Sequence, residues 1–221
     1  MVNAETRQSA LWAGWLLVAG SVVAWIGAFS PMAQMPREDF VSHEALLRFA
    51  AAHQFAFVTR DGGFLGGVVL TMLGFAALTA TFRSAGERLL SELALFSYLL
   101  GAVFWVMHLA FRLTATLVAA PETVATGVVP AYFNAAPLAG FFSFLFGVYW
   151  VLANVAIAAY RAAVLRTQVL PAWLGWTAIL LSLLFALTGL GGDLFPLYIH
   201  AIPFVMGVVL LLRAKRISDG A

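Results

Sequence analysis

The sequence contains no cysteine and few charged residues. The lack of cysteine excludes disulfides, thiolate-held iron–sulfur clusters and thiol catalysis, and it says nothing about the redox compartment. Charged residues make up 10% of the 221 positions, whereas soluble domains carry about a quarter. Only one of the 12 cations is a lysine, and the arginines are spread along the chain. No basic patch therefore indicates nucleic-acid binding.

Familiar catalytic motifs are also missing. The chain has no H-E-x-x-H zinc motif, no G-x-S-x-G nucleophile motif, no Walker loop and no dinucleotide fingerprint. His43 and His53 fit no common zinc spacing. The sequence therefore nominates no catalytic residue and no metal site, and it favours a protein that is not an enzyme.

Hydrophobic residues, by contrast, make up 63% of the chain. A soluble fold of this length could not bury so much apolar surface, because its exterior must meet water. A charge at the centre of a bilayer costs roughly 2.5–3.5 kcal/mol on insertion scales, so charge-free intervals mark membrane spans. They predict one all-α, polytopic domain over residues 1–221, a bundle of six transmembrane helices. The spans lie near 9–29, 63–82, 92–112, 137–160, 171–190 and 194–212.

The segment PETVATGVVPAYFNAAP, residues 121–137, interrupts the longest charge-free interval. Pro130 and Pro137 both disfavour a continuous helix, so we predict a loop or surface segment that leads to a helix beginning near Pro137. The first span is too long for a typical signal peptide, and we expect it to remain as a helix.

The distribution of the cations predicts the orientation. Six spans place both termini on one side, and that side carries eight of the 12 cations. The excess places both termini in the cytoplasm. The longest outer loop contains SHEALLRFAAAHQF, in which Ser42 is a good helix cap and apolar residues recur at helical spacing. A short amphipathic helix on the outer membrane face, between the first and second spans, is the expected result.

Glycines in the first two spans predict close helix contacts. DGGFLGG contains the overlapping pairs Gly62/Gly66 and Gly63/Gly67. In the first span three further glycines roughly share a face: Gly14, Gly20 and Gly27. Such small residues let backbones approach and gain packing energy that lipid cannot supply.

Polar side chains near the expected outer side of the bundle need an explanation. His108 and Arg112 are four residues apart, so they share a face of the third span. His200 lies on the sixth span, in the same half of the bilayer. Beside it, Pro203 removes the helical donor for the carbonyl of Ile199, which is then left needing another partner or a water.

Three interpretations of these residues remain open. In a structural one, Asp193 pairs with Arg112 if the third and sixth spans are neighbours, and each histidine makes one interhelical hydrogen bond. A structural subunit of a larger membrane complex is a separate alternative for the whole protein. In the second, an outer-side site between these spans binds a lipid or small amphiphilic ligand. Its residues would be His108, Arg112, Asp193, Tyr198 and His200, with Trp105 at the rim.

The third interpretation is a haem b site in an electron-transfer subunit. His108 and His200 lie at similar depth on antiparallel spans and could be axial ligands. Gly101 and Gly207, each seven residues from a histidine, could make room for the porphyrin.

The tract LRTQVLPAWLGWTAILLSLLFALTGL resembles one found in a broad family of uncharacterised bacterial six-helix membrane proteins. The resemblance is carried by the entry to the fifth span: Leu170, Pro171, Trp173, Leu174, Gly175 and Trp176. It implies a six-helix fold in the bacterial inner membrane and assigns no chemistry. An accessory or ligand-binding membrane protein is the function that we expect.

Overall fold

The computed structural model describes residues 4–29, 42–134, 136–177, 180 and 191–219, without the side chains at 4–6, 136–139, 142, 191–198 and 216–219. The described chain is helical, with no strand. Residues 172–177 form a further helical segment that begins after Pro171. The labelled helices are α1 (Ala4–Ala28), α2 (His43–Ala52), α3 (Gln54–Ser84), α4 (Leu89–Thr126), α5 (Ala131–Asn134), α6 (Ala136–Thr167) and α7 (Gly191–Asp219).

Four helical stretches in the described residues are long and apolar enough to cross a bilayer. They are Arg7–Ala28 of α1, Gln54–Ser84 of α3, Leu89–Thr126 of α4 and Ser143–Thr167 of α6. This confirms the prediction of an all-helical, multi-pass membrane protein. Most of the predicted span 171–190 lies outside the described residues, so the count of six stays a prediction.

Two helices extend well beyond the charge gaps that predict them. α3 begins at Gln54, and the part that precedes the predicted span includes two charged residues, Arg60 and Asp61. α4 continues past Arg112 to Thr126, so the loop interpretation is wrong for residues 121–126. Pro121 is tolerated there because the extension buries an apolar face, whose packing offsets the roughly 3 kcal/mol that an internal proline costs. Gly127 then ends the helix in the left-handed conformation at φ 71°.

Glycines set the close approach of α1 to its two neighbours. A Cβ built on Gly67 would lie 2.6 Å from the Cβ of Ala24, and one on Gly63 would lie 2.7 Å from the Cα of Gly27. Gly62, predicted as part of the same pattern, has no atom within 4 Å of its Cβ position. Gly14 faces α7 and not α3, so the glycines of α1 serve two interfaces. α1 is therefore packed between α3 and α7.

Hydroxyl groups connect α3, α4 and α6 inside the bundle. The hydroxyls of Thr79 and Tyr160 are 2.9 Å apart, and Tyr160 donates to the carbonyl of Phe75 at 3.1 Å. Near the start of α4, the buried carboxylate of Glu87 accepts from the backbone N–H groups of Leu90 and Ser91, both at 2.9 Å. The hydroxyl of Thr79 also lies 3.4 Å from the carbonyl oxygen of Ser91 on α4. These bonds satisfy groups that hydrocarbon cannot.

A second, smaller core lies beyond Arg112, where α2 packs against the extension of α4. The side chain of Ser42 caps α2 by accepting from the N–H of Ala45, as its sequence predicts. The buried members of this core come from α2, α3, α4 and α5: Leu47, Ala50, Phe57, Ala119, Ala120 and Phe133. A short helix thus lies between the first two spans, and its role as an amphipathic helix on an outer membrane face stays a prediction.

Candidate functional site

An ion pair between Asp61 of α3 and Arg112 of α4 is the centre of the candidate site. Arg112 donates through Nε to Oδ2 of Asp61 at 3.1 Å and through Nη2 to Oδ1, so the contact is bidentate. The Asp61 side chain is fully buried, whereas that of Arg112 keeps 27% of its surface exposed. A buried carboxylate therefore fixes the orientation of a guanidinium that is still partly open.

Asp61 is the site residue that sequence reasoning missed. Because it precedes the charge-free interval, it is expected in the loop before the second span, yet it lies inside α3. The buried face of α3 continues from Phe64 and Val68 back to Asp61 at helical spacing. This helical spacing is the signal in the sequence that could have placed Asp61 on the buried face of α3. Arg60, the neighbour of Asp61, is close enough to both Asp61 and Arg112 to interact with their charges.

His108 lies one turn before Arg112 on α4, within an aromatic cluster. Its ring stacks on Trp105 with a centroid distance of 5.0 Å and an interplanar angle of 5°. Trp105 in turn stacks on Tyr149 of α6 at 5.0 Å, and Phe146 contacts both Trp105 and His108. The buried imidazole is thus held flat against the indole, one turn from the ion pair.

His200 has different neighbours. It is 2% exposed on α7, and its backbone carbonyl accepts from Ser21 Oγ of α1 at 2.8 Å. No contact among the described residues joins its ring to His108. His200 therefore belongs to the contact between α1 and α7.

The structure brings together some of the predicted ligand residues. Trp105, His108 and Arg112 lie along one side of α4, with Asp61 as an unforeseen fourth member. The side chains of Asp193 and Tyr198 lie outside the described residues. Since Arg112 already has a carboxylate partner in Asp61, the predicted pairing with Asp193 is not needed to neutralise it.

The residues proposed for haem do not fit a porphyrin between the two histidines. A Cβ on Gly207 would lie 2.7 Å from the carbonyl oxygen of Gly14, and one on Gly101 would lie 3.0 Å from the Cβ of Leu152. Helices α1 and α6 thus occupy the space that the two glycines were expected to leave.

Long apolar helices with a few internal, partnered polar groups define an integral, multi-pass helical membrane protein whose surface contacts the lipid bilayer. Comparison with protein-family models, with curated proteins and with solved structures finds no match to the chain. The resemblance to a six-helix bacterial family accordingly stays a prediction.

Proposed function

We propose that the chain is an accessory protein of the bacterial inner membrane that binds an anionic amphiphile at the end of the membrane-spanning bundle where Asp61 of α3 pairs with Arg112 of α4. In the proposed orientation both termini are cytoplasmic and this end faces outward, because eight of the 12 cations then lie on the cytoplasmic side. The observation that carries the proposal is the partly exposed guanidinium held by a buried carboxylate.

The geometry of Arg112 supports an anion as the ligand. Its Nε and Nη2 atoms are committed to Asp61, and among the described residues Nη1 has no hydrogen-bond partner. A guanidinium carries five N–H donors in a planar fork that matches carboxylate and phosphate oxygens. Because Asp61 already fixes the plane, an incoming headgroup does not have to order this side chain, which lowers the cost of binding.

The surface of α4 supports an apolar tail on that ligand. A row of exposed hydrophobic side chains begins beside Arg112 and runs along the helix away from the site: Phe111, Met107, Val103 and Leu100. An acyl chain lying along this row would place its headgroup at Arg112. The source of the phosphate or carboxylate is therefore proposed to be a membrane lipid.

Purification in mild detergent followed by mass spectrometry of bound lipid tests this function. We expect wild-type protein to retain phosphatidylglycerol and Arg112→Gln to lose most of it. Arg48→Gln is the matched control, because Arg48 is half-exposed on α2 and its one ion-pair partner among the described residues is Glu44 on the same helix. Asp61→Asn should weaken lipid retention as well, since Arg112 then loses the carboxylate that fixes the orientation of its guanidinium.

Exchange into nanodiscs of phosphatidylcholine alone, or with added phosphatidylglycerol, separates a specific site from general lipid contact. The site is supported if added phosphatidylglycerol raises the unfolding midpoint of the wild type and of Arg48→Gln but not that of Arg112→Gln. Equal lipid loading of Arg112→Gln and wild type, with both variants monodisperse, would show that Arg112 does not bind a headgroup.

A further inference from the structure

The contact between α1 and α7 contains two buried polar side-chain atoms without partners. Among the described residues, neither Nε1 of Trp25 nor Nδ1 of His200 has a hydrogen-bond partner. The ring of Trp25 packs 5.0 Å from Phe204, one turn along α7 from His200. Ser21, one turn before Trp25, bonds the carbonyl of His200 at 2.8 Å. Both atoms therefore belong to the same short stretch of the interface.

The backbone of α7 offers a third group at this place. Pro203 is buried and has no N–H, so the carbonyl of Ile199 lacks its helical donor. In a membrane helix such a carbonyl is satisfied by a neighbouring side chain, a local adjustment or an ordered water. The hydroxyl of Ser21 is engaged with the carbonyls of Leu17 and His200. It is not available to Ile199.

We infer that an ordered water molecule sits between α1 and α7, where it accepts from Trp25 Nε1 and donates to His200 Nδ1 and to the carbonyl of Ile199. The stoichiometry selects water, because one donor and two acceptors match a molecule with two hydrogens. An alcohol has one hydrogen and would leave an acceptor unsatisfied. Buried waters typically make about three hydrogen bonds, which is the number offered here. The imidazole must then carry its proton on Nε2.

The direction in which the thermal unfolding midpoint changes tests this inference. Replacing Trp25 by benzothienylalanine keeps the two-ring shape and replaces N–H by sulfur. If water occupies the site, this change and His200→Phe should each lower the unfolding midpoint by roughly 2–4 °C, the effect of one buried hydrogen bond in a chain of this size. The double variant should lose less than the sum, because both changes remove partners of the same molecule. The same replacement at Trp15, which is 61% exposed, is the control.

An unchanged or raised midpoint for the Trp25 replacement would overturn the inference, because removal of a truly unpaired buried N–H is neutral or stabilising. Water-edited solid-state NMR in nanodiscs gives a second measurement on unaltered protein. The indole signal that disappears in the Trp25 variant should receive magnetisation from water faster than the core amides of Leu17 and Leu78. Equal rates would mean that the site is dry. Neither outcome depends on lipid binding at Arg112.

Discussion

Replacing one partner of the ion pair between Asp61 and Arg112 should lower the free energy of unfolding more than replacing both partners together. In Asp61→Asn the carboxylate is lost while the shape of the side chain is kept. Removing one partner of a fully buried pair costs about 3–5 kcal/mol, because an uncompensated charge is left behind. The Arg112 side chain is 27% exposed, so it can partly reach water or headgroups. We therefore expect a loss of about 2 kcal/mol.

The double replacement Asp61→Leu with Arg112→Met removes both charges at similar volume. Such replacements of buried pairs are often neutral or stabilising by about 1–4 kcal/mol. Unfolding free energies measured by steric trapping in bicelles, for Asp61→Leu, Arg112→Met and the double variant, give the coupling energy. We expect a coupling of about 2 kcal/mol or more. The exposed pair of Arg48 and Glu44 is the control and should show less than about 0.5 kcal/mol.

A coupling at Asp61 and Arg112 as small as that of the surface pair would refute the reasoning. It would mean that water reaches the carboxylate and screens both charges. In that case the guanidinium would not be held in one orientation, and Asp61 would not present Arg112 to a headgroup.

Two further predictions concern the packing of the helices and can be measured by thermal unfolding. Gly67→Val should destabilise the contact between α1 and α3 by about 2 kcal/mol or more, because even its Cβ would lie 2.6 Å from that of Ala24. Gly62→Ala is the control and should change stability by less than about 0.5 kcal/mol, because no atom lies within 4 Å of the Cβ position at Gly62. Equal effects at the two positions would contradict the packing. Glu87→Ala should cost about 1 kcal/mol, since its carboxylate accepts from two N–H groups in the first turn of α4 at 2.9 Å. A wild-type midpoint for Glu87→Ala would show that water replaces this cap.

The sequence predicted the apolar helices well because the cost of an isolated charge in hydrocarbon is large. The charge gaps located α1, α3, α4 and α6, each of which contains a stretch of spanning length. They placed the start of α3 too late and the end of α4 too early, because every charge was taken as a boundary. Asp61 and Arg112 break that rule, since each lies inside a helix and is paired with the other. A pair costs far less than two separate charges, and pairing depends on which helices are neighbours.

Helix neighbours also explain why the predicted site was only partly recovered. Trp105, His108 and Arg112 share a side of α4 because they lie on one helix, where spacing alone defines a face; their role as ligand residues stays a prediction. The assignment of His200 to the same cluster needed α4 and α7 to be adjacent, and no periodicity within either helix contains that information. Its described contacts are instead with α1, through a backbone carbonyl and a serine hydroxyl.

A repeat of seven residues on α4 could have indicated the missing partner. Ser91, Tyr98, Trp105 and Arg112 recur at this interval, and the first three are buried. Residues seven apart stay on one face of a helix with only a small drift, so a polar and aromatic row of this kind must face other helices and not lipid. A row that ends in an arginine requires an anion on the facing helix at the same depth, because an unpaired guanidinium there would be costly. Asp61 on α3 meets this requirement. If polar rows are considered first and charge gaps second, the sequence places Asp61 inside the bundle.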